Sequence, residues 1–289
     1  MPTSLSLLTF NCFGAPVPNT RRRLQALARQ LEDSSLQLVC LQEVQLVLYQ
    51  KLLSQACISY PFQAHEPHLH CPKGGLVTLS RLPITGQRFE TYTEQGYWYL
   101  PTFMDRFLRK GMLITSLEWG GIPMVMINTH IMANYSGDWA RQGVFARMQE
   151  RQLCQLADTV AAQPANALVV VVGDFNLPRG SRLYTEFLHG TGLTDTLAAD
   201  PRPTHRPPPG VPAHYSLPID FVFVRAPQTL SLQITSDLRF SSKLDVGRKY
   251  QDYLSDHNAI EVSFTINSPS DGSLQPIAVS AAELPSQAF

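Results

Sequence analysis

The sequence predicts a mixed α/β layered domain, on three observations. Short apolar runs rich in Val, Ile and Leu recur along the chain, and several end on a polar side chain. Between them lie stretches whose apolar residues repeat at helical spacing. The two kinds of segment intermix without a strict strand–helix–strand repeat, which argues against a doubly wound nucleotide-binding fold. With 44% apolar residues among 289, and no internal repeat or linker between residues 1 and 266, that stretch is expected to form one domain with a sizeable core.

Residues 4–10 read as a first buried strand. In residues 21–31, Leu24, Leu27, Ala28 and Leu31 fall on one face of a helix. Residues 36–41 form a short central-strand run, and a second helix is expected over 44–56. Strands are expected at 75–80, 111–117 and 123–129. The longest helical pattern covers 138–162, with Arg and Gln on one side. Residues 167–172 are a continuous β-branched run bounded by Gly173, the pattern of a strand buried on both faces. Residues 221–224 and 259–266 supply later strands. Three stretches differ. Residues 91–110 are aromatic and partly basic. Residues 200–217 are proline-rich and read as a stiff loop. Residues 267–289 are rich in Ser, Pro and Ala and read as a disordered tail.

Composition narrows the function classes. Lys plus Arg (23) equals Asp plus Glu (23), so the basic excess of a nucleic-acid-coating protein is missing. Cys12, Cys40, Cys57, Cys71 and Cys154 are odd in number and contain no CxxC pair, which favours reduced thiols and a cytoplasmic setting. Cys40 reads as a small buried apolar residue. The N-terminus lacks a basic segment and its apolar stretch is too short for a signal peptide. No apolar run approaches the roughly 20 residues that span a bilayer.

The chemistry sits where strands end. Six segments carry it: Phe10-Asn11-Cys12, Leu41-Gln42-Glu43, Asn128-Thr129-His130, Gly173-Asp174-Phe175-Asn176, Pro218-Ile219-Asp220-Phe221 and Ser255-Asp256-His257. Together they offer carboxylates, amides and imidazoles, the groups needed to hydrolyse a phosphate ester around a hard divalent cation. In extended chain, residues two apart point the same way, so Asp174 and Asn176 can converge on one ligand while Phe175 packs inward. Asp174 could take a proton from water and Asn176 could orient it. Asp220 enters an apolar strand and needs a partner, and His257 is the economical one. His130 ends a buried strand. Glu43 and Asn11 end strands at the sheet rim, where a cation can reach them. Their commoner roles are a helix-start charge for Glu43 and a turn for Asn11. His65, His68, His70 and Cys71 fit no zinc spacing. Arg21, Arg22 and Arg23 read as a solvated helix end, and Met124, Met126 and Met132 as core.

The order and wording of these six segments resemble the endonuclease/exonuclease/phosphatase superfamily, the deoxyribonuclease-I-like fold, from Leu7 to about Phe264. The resemblance implies a four-layer α/β sandwich, with two mixed sheets face to face and helices outside. It implies a Mg²⁺-dependent phosphoesterase, with Mn²⁺ as the alternative ion. Glu43 would be the principal metal carboxylate with Asn11 beside it, and Asp256 would sit next to the metal or phosphate. Asp174 would activate the attacking water, with Asn176 orienting it. His257 would contact the scissile phosphate, its ring fixed by Asp220. His130 would stabilise the pentavalent phosphorus or help the leaving group. Three smaller features are similar to the neutral sphingomyelinase-like branch: the opening Asn11-Cys12-Phe13-Gly14, the stretch Lys73-Gly74-Gly75 before Ser80-Arg81-Leu82-Pro83, and Lys110-Gly111 with Thr129-His130.

The expected reaction is in-line attack of water on a phosphodiester, with a phospholipid as the leading substrate class. Tyr97, Trp98 and Tyr99, with Phe103, could form an aromatic edge that meets a membrane, and Arg106, Arg109 and Lys110 could lie near the head groups. The same aromatics could instead fill the core. A nuclease or a nucleotide or inositol phosphatase is the second reading, and neutral charge offers little for nucleic acid. A scaffold kept only for binding is the third. A monomer is expected.

Overall fold

A computed structural model describes residues 4–140, 143–208, 210–212, 215–247, 249–266 and 278–281. In chain order the elements are β1 (Ser4–Asn11), α1 (Thr20–Glu32), β2 (Leu38–Gln42), α2 (Val47–Ala56), β3 (Phe62–Ala64), β4 (Val77–Ser80), β5 (Ile84–Thr91), α3 (Phe103–Leu108), β6 (Gly111–Trp119) and β7 (Ile122–His130). They continue with α4 (Val144–Ala161), β8 (Leu168–Asp174), α5 (Arg182–Thr191), β9 (Thr194–Asp195), β10 (Asp220–Arg225), β11 (Leu232–Arg239), β12 (Leu244–Asp245), β13 (Gln251–Asp252), β14 (Ala259–Ile266) and β15 (Ala278–Ala281). A 3-10 turn covers Lys73–Gly75.

Two mixed sheets form. One runs β15-β11-β14-β1-β2-β4-β3 and the other β5-β6-β7-β8-β10-β9. Central strands such as β2 and β8 read as unbroken apolar runs because both faces are covered. In β8, Leu168, Val170 and Val172 point between the sheets, where they meet Leu5, Leu7, Leu38, Val222 and Val262. Val169 and Val171 point the other way, into a core shared with Leu153, Leu156 and Val160 of α4 and with Leu183 and Phe187 of α5. On the outer face of the first sheet, Leu8, Phe10, Val39 and Leu41 pack under Leu24, Leu27 and Leu31 of α1 and Leu53 of α2. The order helix–sheet–sheet–helix is the four-layer sandwich. Each fully buried Leu or Val contributes roughly 1.5–3 kcal/mol relative to exposure, so the three apolar layers hold the strand ends in fixed positions.

Several boundaries differ from the sequence reading, each for a local reason. The second helix begins at Val47, not residue 44, because residues 43–46 form a loop beginning at Glu43, whose φ is 59°. The long helix begins at Val144, not 138, because Asn134 and Asp138 bond neighbouring backbone in turns that compete with helix. Within residues 91–110, residues 103–108 form α3. The arginines at 21–23 are not uniformly solvated. Arg23 is buried, and its guanidinium donates to the carbonyls of Cys12, Phe13 and Leu254, stitching α1 to the site-bearing loops. In the C-terminal stretch, residues 278–281 form β15, parallel to β11; residues 267–277 and 282–289 lie outside the described residues. Met124, Met126 and Met132 are buried, as is Cys40.

Candidate active site

Strand register builds the site. β7 and β8 are parallel with His130 beside Asp174, and β10 is antiparallel to β8 with Asp220 beside Asp174. His130, Asp174 and Asp220 therefore form one row across three strands, at a spacing of roughly 4.8 Å per strand. In the other sheet β1 and β2 are parallel, with Asn11 beside Gln42. Glu43 follows directly. Both rows lie at the same end of the sandwich, so the two sheets face their polar ends to one pocket of about 350 Å³.

Two local features lock this end. Gly173 has φ 141°, and a Cβ there would collide with the Thr129 carbonyl, so only glycine lets β8 approach β7 at the turn into Asp174. Phe175 anchors the next step. It lies edge-on to Phe221 and Phe223, with ring centroids 5.5 and 5.0 Å away. Asn176 (φ 51°) and Glu43 (φ 59°) are both left-handed. Asn tolerates that region, but for Glu it costs on the order of 1–3 kcal/mol, a strain that surrounding packing must hold and that clusters at functional sites.

The side chains converge from all six segments. Asn11 Nδ2 donates to Glu43 Oε1 at 3.1 Å and to Asp174 Oδ2 at 2.9 Å, bridging carboxylates from the two sheets. Its oxygen accepts from the Phe13 amide. In this rotamer Asn11 orients the carboxylates and does not aim its oxygen at the pocket. His257 Nδ1 lies 2.8 Å from Asp220 Oδ2, and its Nε2 is 3.8 Å from Asp174 Oδ2. The Ser255 hydroxyl donates to the Asn11 carbonyl and accepts from the His257 amide, which ties the last segment to the first. His130 Nε2 accepts from Lys110 Nζ at 3.0 Å and Asn176 Nδ2 at 3.2 Å. Asp256 borders the same pocket.

Electrostatics follow from burial. Burial raises the Glu43 carboxyl, and the Asp256 charge raises it further. Asp174 is pushed up to about 7, first by burial and then by Asp220. Burial opposes charge on His257, but Asp220 and Asp174 outweigh it and lift the ring to about 10. His130 falls well below its ordinary value through burial and the positive charges of Lys110 and His257. The depressed value keeps the ring neutral, with Lys110 Nζ and Asn176 Nδ2 both facing Nε2, while the buried Nδ1 has no hydrogen-bond partner among the described residues.

The donor set suits a hard divalent cation. Ligand atoms of Glu43, His130 and Asp174 lie within 4.8 Å of one another, and so do those of Asp174, Asp220 and His257. Burial first, and then the charge of a neighbouring carboxylate, raises both Glu43 and Asp174, and a cation held by these two carboxylates would offset that cost. When bound, such an ion neutralises charge developing on a phosphate. The chain's own groups would do the rest. Asp174 stands where it could accept a proton from water. The His257 Nε2–H is a charged donor available to a phosphoryl oxygen.

Some members of the site were not assigned a place in it from the sequence, Lys110 among them although Lys110-Gly111 entered the resemblance. Lys110, expected among surface basic residues, is instead only 2% exposed, paired with Asp105 at 2.8 Å, and bonded to His130 and the Ile131 carbonyl. Its only local mark is the Gly111 that follows at the start of β6. Gln42 donates to Asn128 Oδ1 at 2.8 Å, a buried cross-sheet bond beneath Glu43. His205, in the proline-rich loop, pairs by backbone with His257, their rings 5.0 Å apart. No local pattern marks it. His65, His68, His70 and Cys71 belong to none of the metal-competent clusters among the described residues. Tyr97, Trp98 and Tyr99 are exposed, Trp98 by 79%; the Phe103 side chain lies outside the described residues.

A model of the endonuclease/exonuclease/phosphatase family matches residues 8–257, the span that contains every group named above. The chain belongs to this family. It is 25% identical over 285 residues to a putative neutral sphingomyelinase of Drosophila melanogaster, covering 95% of this chain and 63% of that protein. It is 30% identical over 223 residues to an inositol phosphosphingolipids phospholipase C of Saccharomyces cerevisiae, covering 67% of this chain and 45% of that one. The chain thus spans less than two thirds of the length of either relative. The fold matches D. rerio TDP2 solved with a single-strand DNA product, with TM-score 0.69 over 91% of this chain and all of that one. At 18% identity this is a likeness of fold.

Proposed function

We propose that this protein is a divalent-metal-dependent phosphodiesterase that hydrolyses phosphosphingolipid-type phosphodiesters, releasing the phosphorylated head group. The observation that carries the reading is the row His130–Asp174–Asp220 facing Glu43 across the sandwich, with His257 between Asp220 and Asp174. A phosphodiester needs charge neutralisation, an activated water and a helped leaving group at one point, and this arrangement offers all three. Mg²⁺ is the preferred ion, because the donors are chiefly carboxylate oxygens; Mn²⁺ is the alternative. The names of the sphingomyelinase and phosphosphingolipid relatives support the lipid class.

We assign the catalytic domain to residues 1–266, with β15 (Ala278–Ala281) adding an edge strand beside β11. Exposed Tyr97, Trp98 and Tyr99 support contact with a lipid surface by a monomer, and five free thiols support a cytoplasmic setting. Zero net charge weighs against the nuclease reading. The test compares Mg²⁺-dependent release of head-group phosphate from sphingolipid vesicles with plasmid nicking at equal enzyme. Release without nicking is expected, and it should disappear in Asp174→Asn and His257→Ala. Nicking without release would replace the lipid reading with the nuclease one. Failure of both, with folding and metal binding intact, would leave a binding protein on this scaffold.

A further inference from the structure

The segment Ser255-Asp256-His257 lies beyond the ladders of the strand it leads into. β14 pairs with β1 only as far as Ile260 and with β11 only as far as Ala259. Yet Ser255, His257 and Asn258 are buried, and buried backbone groups need partners. The proline-rich loop supplies them. The Arg206 amide donates to the Asp256 carbonyl at 2.7 Å, and the Asn258 amide donates to the Thr204 carbonyl at 2.6 Å. His205 and His257 form the antiparallel bridge between these two bonds. The sequence prepares this short extended piece. Pro203 precedes it and Pro207 follows it, and a residue before proline is steered to extended backbone, as Arg206 requires.

Two side chains of this piece reach back to the catalytic pair. Thr204 is buried, and its Oγ1 accepts from the amides of Ile219 and Asp220, both at 3.0 Å. That hydroxyl fixes where β10 begins, and with it the base of the Asp220 side chain. Arg206 Nη2 donates to the Ser255 carbonyl at 2.6 Å and to the His257 carbonyl at 2.9 Å, and Nη1 donates to Asn258 Oδ1. The guanidinium lies over the Tyr253 ring, 4.3 Å from its centroid. These hydrogen bonds go to carbonyl and amide oxygens, so they shape the backbone rather than neutralise a charge. A planar fork can hold two carbonyls and a side chain at once and still stack on a ring. A lysine ammonium cannot keep that plane.

The two grips meet at one distance. Asp220 Oδ2 and His257 Nδ1 are 2.8 Å apart, although Asp220 opens a strand of one sheet and His257 leads into a strand of the other. The two sheets share no ladder, so their spacing at this end depends on what spans them. Residues 204–206 do so, with Thr204 on Asp220 and Arg206 on His257. His205, between them, faces the carboxylate pocket. Neighbouring side chains of extended chain point opposite ways, and Arg206 borders a different cavity, beside Phe13 and Tyr253. The clamp therefore works from behind the segment and leaves the pocket open.

We propose that Thr204 and Arg206 are positioning residues for the reaction, through which the proline-rich loop holds the Asp220–His257 pair in its working geometry. This rests on the phosphodiesterase reading above and gives the loop its part in it. The test measures kcat and KM of the full chain on bis(p-nitrophenyl) phosphate with Mg²⁺. It also follows the low-field NMR resonance of the His257 Nδ1 proton, identified by its loss in Asp220→Asn. Thr204→Val removes the hydroxyl at nearly constant shape, and Thr204→Ser keeps it. Thr204→Val and Arg206→Met should each lower kcat about 10–100-fold with KM changed less than about twofold, as for a small misplacement of a reacting group. Both should shift or broaden the resonance. Thr204→Ser should recover most of both signals, and Arg206→Lys only part. A merely structural role would lower the denaturant midpoint and leave kcat per folded molecule and the resonance at native values. That result in Thr204→Val, or in folded Arg206→Met, would overturn the proposal, and so would a Thr204→Ser as impaired as Thr204→Val. Should Arg206→Met fail to fold, the Thr204 pair decides alone. A native chain that turns over no phosphodiester would sink the phosphodiesterase reading. The resonance would then decide the positioning by itself, and one unmoved by Thr204→Val would overturn it.

Discussion

His257 stands between two carboxylates, its Nδ1 2.8 Å from Asp220 Oδ2 and its Nε2 3.8 Å from Asp174 Oδ2. That placement makes it a buried imidazolium at neutral pH, since the two charges outweigh burial and raise it to about 10. Asp220→Asn keeps the shape of the pair and removes its strongest support. The His257 pKa should then fall by units, read from the ring-proton shifts by NMR. Turnover should drop about 10²–10³-fold, as for loss of a charged donor to the transition state. A ring still charged at pH 8 in this variant would remove Asp220 as the cause.

Stability of the metal-free protein should decline as the medium becomes alkaline. Asp174 ionises near 3.8 in the unfolded chain and near 7 when folded, so its contribution is full below 3.8 and gone above about 7. His257 has a folded value raised from 6.5 to about 10, so its contribution is full below 6.5 and lost as pH rises through 10. His130 acts the other way, because burial holds it well below 6.5 and its contribution grows as pH rises toward 6.5. Denaturant midpoints of the metal-free chain should therefore fall from pH 7 to 10, and between pH 5 and 7 the native midpoint should fall relative to that of Asp174→Asn. A native midpoint that rises relative to Asp174→Asn between pH 5 and 7 would contradict the assignment.

Metal binding should release protons. Near neutral pH a fraction of Asp174 is protonated without a cation, and a bound cation would displace that proton. Mg²⁺ affinity should therefore rise with pH through about 7. Calorimetry in buffers of different ionisation heat would count the protons released. Glu43→Gln should weaken binding about 10–100-fold, and an unchanged affinity would exclude Glu43 as a ligand.

Lys110 and Asp105 form a buried ion pair at 2.8 Å. Lys110→Met leaves Asp105 as an uncompensated buried charge and should cost about 3–5 kcal/mol in equilibrium unfolding. The double variant Asp105→Asn with Lys110→Met should recover part of that loss. No recovery would mean that Lys110 stabilises through His130 and Ile131 alone.

The exposed aromatics at 97–99 should matter only at a lipid surface. Trp98→Ala with Tyr99→Ala should lower vesicle co-sedimentation and turnover on vesicles several-fold, with turnover on a water-soluble phosphodiester unchanged. Equal losses on both substrates would show that the pair serves folding.

The strands were the most legible part of the fold. Residues 167–172 are apolar at every position because sheet and helices cover both faces, and that pattern is visible in the residues themselves. Elements with short or mixed patterns were not legible. The α5 helix, residues 182–191, begins at a Ser181 cap whose hydroxyl accepts from the Tyr184 amide, but its apolar face is short. β5 is half-exposed with few apolar residues, and its identity comes from pairing with β6. The start of α2 was misplaced because Glu43 takes a left-handed conformation that no propensity favours.

What the sequence determined by itself was which polar groups stand together at the sheet ends, since each follows or interrupts an apolar strand that fixes it there. Asp174 with Asn176 and Phe175 is local in another way than extended chain: Asn176 is left-handed, and its amide donates to Asp174 Oδ1, a turn that holds the two together at the end of β8. What only the tertiary structure decided was who meets whom. Asn11 reaches Asp174 across 163 residues, and the row of His130, Asp174 and Asp220 depends on three strands choosing one register. Lys110 and His205 entered the pocket for the same reason. A charge in a loop is read locally as solvated. Whether it is buried depends on long-range packing, and the free energy for burying it comes from layers of apolar contacts that no short stretch of chain contains.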